Sequence, residues 1–294
     1  MTPLVAAAVL LAAITHASWN AIAHNIRDQL LSFTLVSGGG ALCGVVLAVF
    51  SPLPAAGAWP YLIASAAIHL VYYVLLMRSF HLGDFGQMYP IARGTAPLVV
   101  TVLAAVFASE TPDGRQAAGI AVASAGLLGV ALWGARGART AGDGAPAAGN
   151  GGPHGLALAA AVATGLSIAA YTVVDGLGVR ASGTPLGYIA WLMILQGFVI
   201  PAYALTTRRR VLAAQLRPFA LRGLLGGFLS VCAYGLVLWA QTRAALAPVA
   251  ALRESSIIVG AAIGTVFFKE RFGAPRIAAA GLMVAGIGLM WHPG

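Results

Sequence analysis

Three charged side chains stand where charge is costly. Arg93 lies about eight residues inside an apolar run that begins near residue 85, and Arg253 and Glu254 lie about as far inside a second run that begins near residue 245. If both runs are helices, a rise of about 1.5 Å per residue carries all three groups close to mid-bilayer. A charge at that depth costs several kcal/mol unless it is paired or wetted, so the simplest partner for Arg93 is Glu254. Kept closed, such a pair fixes two parts of the chain together. Opened, it holds the carboxylate and ammonium of a zwitterion, or passes a proton. Buried ion pairs are a poor source of stability alone, which favours the second use.

Other polar and aromatic groups sit at similar depth. His69 is about ten residues into its run, with Tyr72 and Tyr73 one turn further on, and Tyr89 precedes Arg93 by one turn. Histidine titrates near physiological pH, and aromatic faces suit an apolar or cationic substrate. His16 and Asn20 are four apart and share a helix face, with Trp19 beside them as an interfacial anchor. Pro90 and Pro97 interrupt one run and Pro248 begins another. Each removes a backbone bond and kinks a helix, freeing carbonyls for a polar substrate or water. Tyr171 and Asp175 also share a face, but Asp175 is close to the end of its run and to Arg180, so the expected role is a surface-snorkelling pair. Glu110 and Glu270 each precede a helix, where a carboxylate is favoured by the N-terminal dipole, and read as loop anchors.

Enzyme constellations are missing. The sequence holds no H-E-x-x-H, P-loop, G-x-G-x-x-G at a strand-helix turn, C-x-x-C or G-x-S-x-G. Its 6 His and 8 acidic residues are too scattered to form a metal site. No cofactor and no catalysis are expected, and transport would run on a gradient of substrate or protons, with proton coupling left open.

The elements that position these groups must be membrane helices. Of 294 residues 60% are hydrophobic and 9% charged, against roughly a quarter charged in soluble domains, which excludes a water-soluble globule. Disorder is excluded by the same composition. No Asp, Glu, Lys or Arg occurs from Gln29 to Met77, whereas a β-barrel would alternate in polarity over stretches of about 10 residues. The net charge of +9 is spread between apolar runs and forms no nucleic-acid patch. Cys43 and Cys232 fall inside apolar runs, where a thiol packs as a small hydrophobe. The first apolar run has no Lys or Arg before it and is expected to be a retained helix, not a signal peptide.

Punctuation by Pro, Gly and charge predicts ten spans near 3–23, 31–50, 60–79, 85–108, 115–134, 156–177, 185–205, 218–240, 245–268 and 273–291. A Gly- and Ala-rich stretch at 135–155 reads as a flexible linker between a first five-helix repeat at 1–134 and a second at 156–294. Tyr89 to Glu110 aligns without gaps on Val249 to Glu270, pairing Arg93 with Arg253, Val106 and Phe107 with Val266 and Phe267, and Glu110 with Glu270. An odd number of helices per copy inverts the second, the arrangement of many secondary transporters with a midplane substrate site.

Small residues four apart are expected to pack helices within the monomer, at Gly40 and Gly44, Gly119 and Ala123, Gly223 and Gly227, Gly260 and Gly264, and Gly281 and Ala285. A homodimer through the fifth and tenth helices is the alternative to a monomer. Basic residues favour odd-numbered loops (Arg27, Arg78, Arg136, Arg139, Arg208, Arg209, Arg210, Arg217, Lys269, Arg271, Arg276) over even ones (Arg115, Arg180, Arg243). That bias puts the odd loops in the cytoplasm and both termini outside.

The combination of H-A-S-W-N at His16 to Asn20, G-D-F-G-Q-M-Y-P-I-A-R-G-T-A-P from Gly83 to Pro97, and a Glu after each of helices four and nine resembles the EamA family of the drug/metabolite transporter superfamily. The resemblance implies an all-α bacterial inner-membrane protein of ten helices, with one to four and six to nine around a central cavity. It implies export of amino acids, aromatic ones included, or related metabolites. Relatives are usually placed with cytoplasmic termini, contrary to the charge bias retained here. The second copy reads Ala250-x-x-Arg253-Glu254, without the proline of Tyr89-Pro90-x-x-Arg93. The expected reading is a carrier for a small, zwitterionic metabolite in a lipid environment, lined by His16, Asn20, His69, Tyr72, Tyr73, Tyr89, Arg93, Arg253 and Glu254. A flippase for a lipid-linked carrier is the alternative.

Overall fold

The computed structural model describes residues 1–24, 26, 28–82, 85–140, 153–260, 262 and 274–290. Arg27, Gly83, the linker stretch 141–152, Gly264, Lys269, Glu270, Arg271 and Trp291 lie outside the described residues. Among those described there is no strand. The helices are α1 (Pro3–His24), α2 (Gln29–Phe50), α3 (Trp59–Leu82), α4 (Phe85–Phe107), α5 (Gly114–Thr140), α6 (Pro153–Ser182), α7 (Pro185–Gly197), α8 (Val199–Arg208), α9 (Leu212–Leu216), α10 (Ala220–Gln241), α11 (Leu246–Arg253) and α12 (Ala274–Met290). Short 3-10 turns precede α3 and α10.

Seven stretches among the described residues are long and apolar enough to cross a membrane. They comprise α1 to α4, α6, the α7–α8 pair and the run from α9 through α10. Against the ten spans expected, α12 is apolar but shorter, and the ninth run is interrupted: α11 ends at Arg253 and helix resumes over 256–260.

The chain forms two units, and α3 and α6 each contribute one end to both. The first unit holds Met1–Ala67, Val174–Ala244 and Ser255–Arg271. There α2 packs against α7 and α10 around a core that includes Leu62, Tyr188, Leu192 and Leu238. Close approach rests on glycine. A Cβ on Gly44 would lie 2.8 Å from the Ala190 carbonyl oxygen, and one on Gly39 would lie 2.8 Å from that of Gly223.

The second unit holds Ile68–Val173, Ala245–Glu254 and Phe272–Gly294. Here α5 and α12 meet where a Cβ on Gly119 would stand 2.6 Å from the Gly286 carbonyl oxygen. In contrast, a Cβ on Gly260 or Gly281 would meet nothing within 4 Å among the described residues, so neither of those two expected positions makes a close helix approach to them. Lipid replaces water as the surrounding medium, so helices associate by such packing and not by the hydrophobic effect. Large apolar side chains consequently remain outside, among them Phe50 at 82% and Leu221 at 80% exposure.

At the start of α2, Asp28 accepts from the Leu31 N–H at 3.1 Å and also receives the Arg208 guanidinium. The Arg208 bond holds its carboxyl below the usual carboxylate range. A lowered folded pKa contributes stability above the unfolded value of about 3.9, and that stability fades as pH falls through the folded value. With the carboxylate 37% exposed, the ion pair contributes less than about 1 kcal/mol.

Two outcomes follow for thermal unfolding in detergent. Gly44→Leu lowers the transition, at a cost of about 1–3 kcal/mol from overpacking, while Gly281→Ala, inside α12, does not lower it. Asp28→Asn, which keeps the cap, costs less than Asp28→Ala, which loses about 1 kcal/mol of capping as well, and the gap between wild type and Asp28→Asn closes below about pH 4.

Candidate functional site

The second unit gathers most of the expected site residues on α3, α4 and α11. Arg93 is buried on α4 and Glu254 follows the last residue of α11, with the Arg93 Nε atom 2.6 Å from Glu254 Oε2. Close as they are, the N–H is not aligned for a hydrogen bond, so the contact is an ionic one made off the N–H axis. The second oxygen, Oε1, lies 3.7 Å from an Arg253 terminal nitrogen. Glu254 thus bridges two guanidiniums whose side chains are 5% and 6% exposed. This group of three carries two positive charges and one negative.

Close helix contact sets Arg93 in place. A Cβ on Gly165 of α6 would meet the Ala92 carbonyl oxygen at 2.7 Å and Thr95 Cβ at 2.9 Å, so α6 lies directly on the turn of α4 that carries Arg93. On the next residue, Gly94 leaves room for Leu127 and Leu128 of α5. Both Pro90 and Pro97 are buried within α4, which continues through them from Phe85 to Phe107. A proline at position 97 has no N–H for the Arg93 carbonyl, so the backbone acceptor at the charged turn is released. Pro248 lies in the first turn of α11, where helix N–H groups have no intrahelical partner in any case.

The break after α11 falls at the charged group itself. Glu254 N–H bonds back to the Ala251 carbonyl at 3.2 Å, a turn tightened to three residues, and helix resumes beyond Ser255. Neither proline nor glycine marks the place, and the sequence pattern predicted one helix across it. Interrupted helices of this kind are tolerated in membranes where backbone is buried in protein or lines a polar site. The chain also passes from the second unit to the first at this point.

Aromatic rings stand beside the charges. The Arg93 guanidinium is 5.7 Å from the centroid of Tyr89, within cation–π range. On α3, His69 stacks on Tyr171 of α6 at 4.0 Å with planes 23° apart, and Tyr72 meets Tyr171 edge-on at 5.7 Å. Tyr73 is tilted against Tyr72 at 5.2 Å. Tyr72 and Tyr171 both lie within electrostatic range of Arg93. Tyr171 was not among the pathway residues expected from sequence. A tyrosine one turn before an aspartate gave no sign that it would meet His69, which is distant in the chain.

His16 and Asn20 belong to the first unit. There the Trp19 indole N–H donates to His16 Nδ1 at 3.3 Å, and the Asn20 amide donates to the His16 carbonyl at 2.9 Å. Asp175 is not a snorkelling surface group paired with Arg180. It is fully buried, accepts from the Tyr188 hydroxyl at 2.9 Å and also from the Tyr234 hydroxyl. Arg180 instead donates to the carbonyls of Gln241 and Ala244. The reason is reach: α6 extends to Ser182, several residues past the predicted end at 177, which draws Asp175 inward. Glu110 anchors a loop, but onto a different helix than expected, accepting the Leu246 N–H of α11 at 2.7 Å. That bond satisfies one of the orphan donors at a helix start.

Residues 155–291 match the model of the EamA-like transporter family. No protein of curated function matches the sequence. A solved crystal structure, described only as that of a protein, superposes with a TM-score of 0.70 at 15% identity, over 97% of this chain and 97% of that one. At that identity the likeness concerns the fold.

Removing one member of the charged group tests its geometry. Glu254→Gln strands two guanidiniums and lowers stability by about 3–5 kcal/mol, whereas Arg93→Gln leaves Arg253 with its carboxylate and costs less. Guanidinium or thermal unfolding of the two purified variants checks that order.

Proposed function

We propose that the chain, whose residues 155–291 match the EamA-like transporter family, is a secondary transporter for a small zwitterionic metabolite, an amino acid or a close relative, with Arg93, Arg253 and Glu254 as its polar centre. The observation that carries this reading is a buried charged group beside an aromatic ring: Arg93 and Arg253 both face the Glu254 carboxylate, and the Tyr89 ring lies under the Arg93 guanidinium. A substrate carboxylate takes the place of Glu254 on one of the arginines, and Arg presents a planar fork suited to it. The substrate ammonium then faces the rings of Tyr72, Tyr89 and Tyr171, whose π faces attract cations. Aromatic substrates gain further contact with the same rings.

Movement follows from differential binding. An empty site keeps Glu254 bridged to both arginines. When a carboxylate arrives, Glu254 is released from at least one of them, and the interrupted helix at residues 254–255, where the chain crosses between units, is the natural place for the change in backbone. Alternating access is in this account a rocking of two inverted five-helix repeats, 1–134 and 156–294, about that polar centre. The driving force is a substrate or proton gradient in the bacterial inner membrane.

Counterflow in proteoliposomes, screened over amino acids and nucleosides with and without a pH gradient, tests the reading. Arg93→Ala abolishes exchange while the protein stays monodisperse. Arg253→Gln raises the half-saturation concentration for an amino acid about tenfold, as loss of one charged hydrogen bond of about 1.4 kcal/mol implies, and leaves the corresponding decarboxylated amine unaffected. Wild-type exchange by Arg93→Ala removes the pair from the mechanism.

A further inference from the structure

We propose that a cavity at one end of the first unit seats the headgroup of an anionic phospholipid. The cavity encloses about 520 Å³ and is framed by the end of α6, the α6–α7 turn and the end of α10 with the residues after it. Two exposed arginines line it, Arg180 and Arg243, together with Thr242 and an apolar wall that includes Val179, Leu186 and Trp239.

The cationic edge is built, not incidental. Arg180 donates from Nε to the Gln241 carbonyl at 2.7 Å and from a terminal nitrogen to the Ala244 carbonyl at 3.0 Å, so it clasps the turn that carries Arg243 on both sides. Arg243 is held by the Trp239 ring, with its guanidinium carbon 4.7 Å from the ring centroid. Two guanidiniums are thereby presented from different segments toward one space. Phosphate is an anion that planar guanidinium groups bind through paired N–H bonds.

The position chooses between a free phosphate and a lipid. α6 ends at Ser182 and α10 at Gln241, so the cavity lies at helix ends, the level at which lipid phosphates sit in a bilayer, and Trp239 is of the type found at that boundary. A soluble anion has no use for the apolar wall, whereas an acyl chain does. Charge distribution points the same way. Of the three basic residues in even-numbered loops, Arg115, Arg180 and Arg243, two converge on this one cavity. Basic pockets between membrane helices take anionic headgroups in this manner.

Native mass spectrometry of the full-length protein in neutral detergent tests the assignment. It uses phosphatidylglycerol, phosphatidylcholine and, as the soluble headgroup, glycerol phosphate. Phosphatidylglycerol is retained in preference to phosphatidylcholine. Arg243→Gln weakens that retention about fivefold, the worth of one interfacial charge at about 1 kcal/mol, and Arg243→Lys keeps most of it. In wild-type protein, brominated phosphatidylglycerol quenches a fluorescence component that Trp239→Phe removes, which locates the lipid without relying on a charge variant. Equal retention by wild type and Arg243→Gln, the absence of Trp239 quenching, or displacement of the lipid by equimolar glycerol phosphate each overturns the proposal.

Discussion

A guanidinium carried to the middle of a bilayer needs an anion within reach, since neither water nor lipid can solvate it at tolerable cost. Glu254 meets that need for Arg93 at 2.6 Å and at the same time extends its other oxygen toward Arg253. Much of the second unit can be understood as the means of holding those three groups together. Glycines at 94 and 165 let α5 and α6 press against the turn of α4 that bears Arg93. Glu110 fixes the start of α11 by taking its Leu246 N–H. The helix then stops at Glu254 itself, where backbone geometry gives way to the placement of the carboxylate.

The surroundings of this group are aromatic in place of aliphatic. Tyr89 offers its π face to the arginine, Tyr72 and Tyr171 lie within electrostatic range of it, and His69 is stacked on Tyr171. Such a lining softens the cost of buried charge without neutralising it, because ring quadrupoles attract cations yet carry no net charge. Within the group itself, one carboxylate faces two guanidiniums, and the rings beside it leave that arrangement polar. The buried Asp175 in the first unit contrasts with it. There two tyrosine hydroxyls satisfy a carboxylate by hydrogen bonding, an arrangement suited to holding α6, α7 and α10 in register.

Legibility in the sequence varied with how rare each signal was. Arg93 and Glu254 stood out because charge inside apolar runs is scarce, and the helix limits of α1, α2 and α4 lay within two residues of the spans expected from Pro, Gly and charge. Tyr171 was obscure because a tyrosine in an apolar helix is commonplace and its partner, His69, is about a hundred positions away. Asp175 was misjudged from its distance to a helix end that fell several residues later than punctuation implied. The interruption at residues 254–255 had no proline or glycine to announce it. Small-residue spacing identified real close approaches at Gly44, Gly119 and Gly223 but also marked Gly260 and Gly281, where a Cβ would meet nothing within 4 Å among the described residues.

What the sequence alone determined is the solvent and the kind of element: the scarcity of charge across long apolar runs requires lipid around helices, since only there are backbone groups satisfied within each segment. It determined also that a few ionised groups lie deep in that solvent, for their positions within the runs are a matter of counting. Only the tertiary structure decided which of them meet, which ring faces which cation, and where a helix breaks. Those outcomes depend on the rotation and approach of separate helices, and hence on contacts between side chains far apart in the chain, which no local pattern of residues encodes.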